Sequence, residues 1–301
     1  MKRQYIEKRF QRPSLLLIGQ TNTIVEEYSG QGFDLTLRQL HYQFVARDLY
    51  ANTSKNYNRL KSVVSDGRLA GLIDWDAIVD RTRYVRSLGH WAAPQQIVED
   101  AANQFRVDKW ENQEYRPEVW IEKDALTGVI EGVCEENDVP FFSCRGYTSQ
   151  SEMWRASQRM DKYIENDQVP YIIHLGDHDP SGVDMSRDIC TRIRDTFRTH
   201  LAFDRLALTM DQVEQFRCPP NFAKLSDSRS PKYVKAYGNE SWELDALDPV
   251  VMASLIQDAV DLVKDHSQWA ADLSREEAGR EKLSVVAREL GERDGREGGE
   301  D

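Results

Sequence analysis

Two carboxylates two residues apart, Asp177 and Asp179, close an apolar run in the segment Gly176-Asp177-His178-Asp179-Pro180-Ser181-Gly182. Residues at i and i+2 of extended chain share a side, so both acids can face one point before Pro180 and Gly182 turn the chain. Acids held that closely need a cation between them or a proton on one of them. Hard oxygen ligands of this kind suit Mg²⁺, which takes one or two carboxylates and keeps waters for a phosphate. Taken alone, Asp-x-Asp-Pro also reads as an exposed turn. A third acid, Glu122, ends another apolar run, Glu118-Val119-Trp120-Ile121. Three carboxylates around one point are costly without a divalent ion.

The elements that must position these acids are two strand-to-helix transitions. Val169-Pro170-Tyr171-Ile172-Ile173-His174-Leu175 is apolar and β-branched enough for a buried parallel strand. After Glu122, the residues Leu126, Val129, Ile130 and Val133 recur at helical spacing. Two such units predict one parallel sheet with its site at the carboxyl ends of the strands. Val139–Cys144 reads as a further strand, followed by a helix from about Glu152, and 183–201 as a helix carrying Arg187, Arg192, Arg194 and Arg198.

In order along the chain, Glu122-Lys123-Asp124-Ala125, Gly146-Tyr147 and Asp177-His178-Asp179-Pro180-Ser181-Gly182 resemble the Toprim domain of the topoisomerase VI A subunit and of its relative, the meiotic double-strand-break transesterase. The resemblance implies that Glu122, Asp177 and Asp179 bind Mg²⁺, or Mn²⁺ in its place. It also implies a nucleophilic tyrosine upstream, and Thr36-Leu37-Arg38-Gln39-Leu40-His41-Tyr42 is similar to the segment that carries it, which assigns Tyr42 to that role. His41 departs from the family, which has an aromatic residue there. The Pro-Asp that usually follows Gly-Tyr is missing too. From its own neighbours, Tyr42 among Leu37, Leu40, Phe44, Val45 and Leu49 reads first as a helix core residue, and only the downstream acid motifs raise it to a nucleophile. A phenol, with a pKa near ~10, attacks only with help from a base or a cation. Arg38 shares a helix face with Tyr42 at i, i+4 and could steady the phenolate or a phosphate. Lys123 and Arg145 are candidate helpers.

The expected fold class is therefore α/β, a Toprim-type, Rossmann-like parallel sheet, with an N-terminal and mostly helical winged-helix domain. Thr36 caps a helix to about Tyr50, and Asn52-Thr53-Ser54 opens a second. That second helix buries Tyr57, Leu60, Val63 and Val64 and presents Lys55, Arg59, Lys61 and Arg68. Residues 71–80 read as a strand pair or wing, with Arg81 and Arg83 just beyond it. Such residues would contact DNA phosphates without reading bases. The expected boundaries are 1–91 for the DNA-binding domain, 92–117 for a linker with a helix from Pro94, 118–270 for the Toprim domain and its extension, and 271–301 for a charged helical or disordered tail. Around residues 237–249, the acids are read as a helix cap at Asp248 before 250–263 rather than as part of the metal site.

Composition narrows the function classes. Residues 1–90 hold 14 Lys/Arg against 9 Asp/Glu, a local excess of +5 in a chain of net charge −12, so the tyrosine lies in the basic part. Hydrophobic residues at 40% and charged residues at 30% are ordinary for a soluble protein. No run of eighteen apolar residues predicts a membrane span, and the first residues lack the apolar core of a signal peptide. Cys134, Cys144, Cys190 and Cys218 lack metal-type spacing and read as free thiols of an intracellular protein, and the resemblance implies a cytoplasmic, nucleoid-associated one. With no phosphate-binding G-x-x-x-x-G-K motif, ATP hydrolysis of that type is not expected.

The resemblance implies double-stranded DNA as substrate and a homodimer whose composite sites pair the tyrosine of one protomer with the metal of the other. It also implies a separate ATPase subunit in the topoisomerase case. The chain is similar in size to short, free-standing A-type proteins of phages and mobile elements. Two other readings use the same residues: a Toprim nuclease in which water attacks, and a non-catalytic DNA-binding regulator.

Overall fold

Thr36 accepts a hydrogen bond from Gln39 N at 3.3 Å, while the Gln39 side chain accepts one from Thr36 N at 2.8 Å. This capping box starts the helix that carries Tyr42. The computed structural model describes residues 1–79, 88–222, 227 and 229–297. Helix α1 spans Arg12–Ser29, α2 Leu37–Ala46 and α3 Ser54–Leu69. The helix expected to reach Tyr50 stops at Ala46, because the chain turns through a left-handed Asp48 (φ 55°). Helix α1 was not expected, yet Leu17, Ile18, Thr21, Ile24, Val25 and Tyr28 give it one buried face at helical spacing. That face packs with Leu40 and Phe44 of α2 and with Leu60, Val63 and Val64 of α3. The expected wing strand pair in 71–80 does not form among the described residues. Among the described residues, Leu35 and Ile78 form an isolated bridge there, and Gln4 bridges Ala70 just before it.

The remaining elements follow in chain order. They are α4 (Pro94–Gln104), β1 (Tyr115–Ile121), α5 (Thr127–Glu136), β2 (Phe141–Ser143), α6 (Gln150–Glu165), β3 (Val169–Leu175) and α7 (Pro180–Thr191), then β4 (Ala202–Ala207), α8 (Met210–Phe216), β5 (Asn221–Phe222), α9 (Ser230–Tyr237), β6 (Glu240–Ser241), α10 (Pro249–Asp261) and α11 (His266–Glu297). The fold is mixed α/β, with eleven α-helices among the described residues and a four-stranded parallel sheet of order β2-β1-β3-β4. β1 therefore begins inside the stretch read as a linker. The helix expected over 183–201 ends at Thr191 in a π turn, Arg192–Thr196, ahead of β4. Trp120 and Ile172 point to one face of the sheet, with Met153 and Met160 of α6 and Ile189 of α7. The alternate strand residues Val119, Ile121, Ile173 and Leu175 are fully buried as well. Burial of both faces explains why these strands read as continuous apolar runs. The four cysteines are free thiols, and no described helix is long and apolar enough to cross a membrane.

The chain divides into two compact units, one comprising Met1–Arg83 and Pro117–Asp261, the other Tyr84–Arg116 and Leu262–Asp301. The second is built on α4 packed along α11. Inside it, Lys109 Nζ lies 2.8 Å from Glu276 Oε2, and both side chains are 6% exposed. Glu276 also accepts from Val107 N at 3.0 Å and from Arg280. A buried pair is costly to break from one side. Glu276→Ala is expected to lower stability by about 3 kcal/mol, read as a drop in the thermal unfolding midpoint. Glu276→Gln, which keeps acceptors for Val107 and Lys109, should lose less.

Candidate active site

Adjacent parallel strands bring the acids together. Glu122 N donates to Leu175 O at 2.9 Å, so β1 and β3 end side by side. Glu122 Oε2 accepts from Asp177 N at 2.8 Å. The turn that follows runs directly under this carboxylate: a Cβ placed on Gly182 would lie 3.0 Å from Glu122 Oε2 and 2.2 Å from Asp177 O. Only glycine fits there. Gly182→Ala is expected to cost about 2 kcal/mol or more and to displace the acids, detected as a lower thermal unfolding midpoint. Asp179 caps α7, its Oδ1 accepting from Gly182 N at 2.7 Å.

His178, between the two acids, is drawn into an aromatic pocket. Its Nδ1 is 2.8 Å from Tyr233 Oη, and its ring packs against Tyr237 and Trp242. Its backbone pairs with Trp242 in both directions, at 2.8 and 2.9 Å. Arg205, on β4, binds the other side of the turn. Its guanidinium donates to the carbonyls of Gly176 (3.1 Å), Asp177 (2.6 Å) and Gly182 (3.0 Å), and to Ser186 Oγ. Sequence reasoning passed over Arg205, and a single arginine on a strand offered no signal for it.

These contacts set the electrostatics. Burial, then the charges of Asp177 and Asp179, push the Glu122 carboxyl up to about 7. Burial also pushes Asp177 up to about 6, against the pull of Lys123. Carboxylate oxygens are the donor type that hard cations take. The expected convergence on one ion is nonetheless not realised: among the described residues no three His, Cys, Asp or Glu side chains are grouped so that they could hold a metal. Asp177 Oδ1 is engaged by Lys123 Nζ at 2.9 Å and by Leu244 N at 2.7 Å, while Asp179 Oδ1 serves as the helix cap.

Lys123 leads to residues that the sequence reading left out of the site. Its Nζ is 2.6 Å from Asp245 Oδ2 and 3.1 Å from Glu243 Oε2. Burial works against its charge, but Asp245, Asp177 and Glu243 outweigh that and hold the ammonium well above its ordinary range. Asp248 does cap the next helix, accepting from Val250 N at 2.8 Å. Glu243 and Asp245, five and three residues earlier, belong to the site instead. Their signal was a third acid-rich segment, which competed with the simpler helix-cap reading.

Glu243 in turn reaches α2. Arg38 Nη1 donates to Glu243 Oε2 at 2.7 Å. Asn221 Nδ2 lies 3.4 Å from Glu243 Oε1 and 3.3 Å from Tyr42 Oη. Tyr42 is 3% exposed. Burial, with the charge of Glu243, pushes its phenol up to about 12. The phenol lines a cleft of about 290 Å³ together with Arg38, His41, Thr53, Asn221 and Glu243. Thr53 caps α3, so the start of that helix opens into the same cleft. His41 is 4% exposed, and burial lowers its pKa. Its Nδ1 makes no hydrogen bond. A polar path thus runs within one chain from Tyr42 through Asn221, Glu243 and Lys123 to Asp177, where the resemblance implied groups drawn from two protomers.

The basic residues separate. Lys55, Arg59 and Lys61 are exposed on α3 as expected. Arg68 is not a free phosphate contact: its guanidinium donates to Trp75 O at 2.8 Å and to Ile78 O, and stacks on Trp75. The chain folds back beneath it and takes up its donors. Arg145 stands on left-handed backbone (φ 51°), its side chain 73% exposed and 3.1 Å from Asp124. Arg81 and Arg83 lie outside the described residues. Searches against family models, curated proteins and solved structures find no match for this chain.

Proposed function

We propose that this chain cleaves DNA by transesterification, with Tyr42 as nucleophile. The observation that carries this reading is the polar path joining the Tyr42 phenol to the acid cluster across Asn221, Glu243 and Lys123. In this reading residues 1–79 act as a winged-helix-like DNA-binding part, and the sheet acts as a Toprim-type centre. Exposed Lys55, Arg59 and Lys61 on α3 hold the duplex by its phosphates. Arg38 orients the scissile phosphate. The phenol oxygen forms a bond to phosphorus, the bond from phosphorus to one sugar oxygen breaks, and that oxygen leaves with a proton. The proton given up by Tyr42 goes in the end to the leaving sugar oxygen, and His41, which lines the same cleft, is a neighbouring imidazole through which water could relay it. Mg²⁺ at Glu122, Asp177 and Asp179 would supply positive charge to the phosphate in the transition state, and holding it would require Lys123 to leave Asp177 and the three acids to close on one point. Cutting both strands requires two tyrosines, hence two copies of the chain.

The test is incubation with supercoiled plasmid and Mg²⁺, with and without ATP, followed by detergent and then protease. The expected result is linear DNA that enters a gel freely only after proteolysis. A second reading, metal-dependent hydrolysis by water, is favoured by one observation: the Tyr42 phenol is buried and pushed up to about 12, as for a structural tyrosine. It predicts cut DNA that never carries protein.

A further inference from the structure

Glu243 occupies an unusual place. One of its oxygens accepts from two cations, Arg38 at 2.7 Å and Lys123 at 3.1 Å, and the other faces Asn221 Nδ2 at 3.4 Å. That same nitrogen points at the Tyr42 oxygen, 3.3 Å away. The amide is held in this sense by Asn52, whose Nδ2 donates to Asn221 Oδ1 at 2.8 Å and to Pro220 O at 3.3 Å. A singly charged group with two acceptor oxygens therefore sits among two cations and an amide donor, beside the candidate nucleophile. A phosphodiester has the same charge and the same acceptors. Lys123 does not depend on Glu243 for a partner, since Asp177 and Asp245 both stay within 2.9 Å of its Nζ. Arg38 is 49% exposed and Glu243 29% exposed, so the side chain has room to swing out. The backbone on either side is pinned, Trp242 to His178 and Leu244 to Asp177, so such a movement is confined to the side chain.

We infer that Arg38, Lys123 and Asn221 form a binding pocket for a DNA phosphodiester, which Glu243 fills as an internal substitute in the free chain. This rests on the reading that the cleft beside Tyr42 receives the DNA backbone, but it does not depend on covalent chemistry. While Glu243 is in place it neutralises the pocket and repels an incoming phosphate. DNA binds only by displacing it, which keeps the Tyr42 cleft closed to stray anions.

The experiment measures binding of a short fluorescent duplex by anisotropy in a Tyr42→Phe background, which removes covalent capture. Glu243→Gln, which keeps the size and drops the charge, is expected to tighten binding about tenfold at low salt. Adding Arg38→Ala to it should reverse the gain. Inorganic phosphate at millimolar concentration should compete with the duplex in the Glu243→Gln protein and compete poorly once Arg38 is also removed. If only the duplex responds and phosphate never competes, the pocket is not a phosphate site and the inference fails. It fails equally if Glu243→Gln, with its unfolding midpoint unchanged, binds DNA no more tightly than its parent. Should Glu243→Gln unfold, Glu243→Ala is measured in its place against the same two outcomes. Tighter binding with no protein–DNA adduct in the plasmid assay of the unsubstituted chain would leave the pocket standing and overturn the transesterase reading alone.

Discussion

Tyr42→Phe is expected to abolish protein-linked DNA and to lower cleavage by roughly three to four orders of magnitude, in line with removal of a nucleophile. The fold should survive. Tyr42 packs its ring in α2, and phenylalanine fills the same space. The lost oxygen has one long partner, Asn221 Nδ2 at 3.3 Å, so the cost to stability is about 1 kcal/mol or less. The measurement is the fraction of plasmid carrying covalent protein after detergent, with the thermal midpoint as control. Loss of cutting and adduct together, in a folded variant, is the outcome for an attacking phenol. Cutting that continues in Tyr42→Phe would assign the attack to water and leave Tyr42 as the buried anchor of the Asn221–Glu243 path.

Glu122→Gln is expected to stabilise the chain above pH 7 while removing its response to Mg²⁺. The carboxyl has an ordinary pKa of 4.5 and is pushed up to about 7 in the fold, by burial first and then by Asp177 and Asp179. Between those values the unfolded chain has given up its proton and the folded chain still holds it. The folded state binds more protons in that window, so stability falls as pH rises through it and the loss is complete above about 7. The cost is about 3 kcal/mol. Asp177, raised to about 6, adds to it in the same direction. An uncharged glutamine escapes most of this cost and still offers an oxygen to Asp177 N. The parent should therefore melt lower at pH 8 than at pH 5.5, regain stability with Mg²⁺ at pH 8, and show little Mg²⁺ effect at pH 5.5. The variant should melt higher than the parent at pH 8 and ignore the metal. A variant that gains the same Mg²⁺ shift as the parent would remove Glu122 from the ion's ligands.

Both expectations depend on a site that was only partly legible in the sequence. The local features were readable because they have local causes. The Val169–Leu175 strand is apolar at nearly every position because both faces of the sheet are covered, and such a run followed by Gly-Asp-His-Asp-Pro-Ser-Gly announces a strand end and a turn. Thr36 and Thr53 start their helices through side-chain oxygens acting within three residues. Helix α1 carries the same kind of signal, with buried residues three and four apart from Leu17 to Tyr28. Arg68 shows the limit of helical spacing: periodicity placed it on the outer face of α3, and the following ten residues, to Ile78, fold over it.

By itself the sequence determined the strand-to-helix units, the acids at their ends and the cap that presents Tyr42, because backbone propensity, apolar period and short-range hydrogen bonds act over a few residues. Only the tertiary structure decided that Glu243, 120 residues beyond Lys123, would share its ammonium with Asp177 and Asp245 and grip Arg38. It also decided that Arg205 would clamp the acidic turn and that Lys123 would stand where an ion was expected. Charge pairing of this kind has no period and no fixed spacing. It depends on which loops the packed sheet and helices bring within about 3 Å of one another, and that distance is set by the whole core rather than by any segment of it.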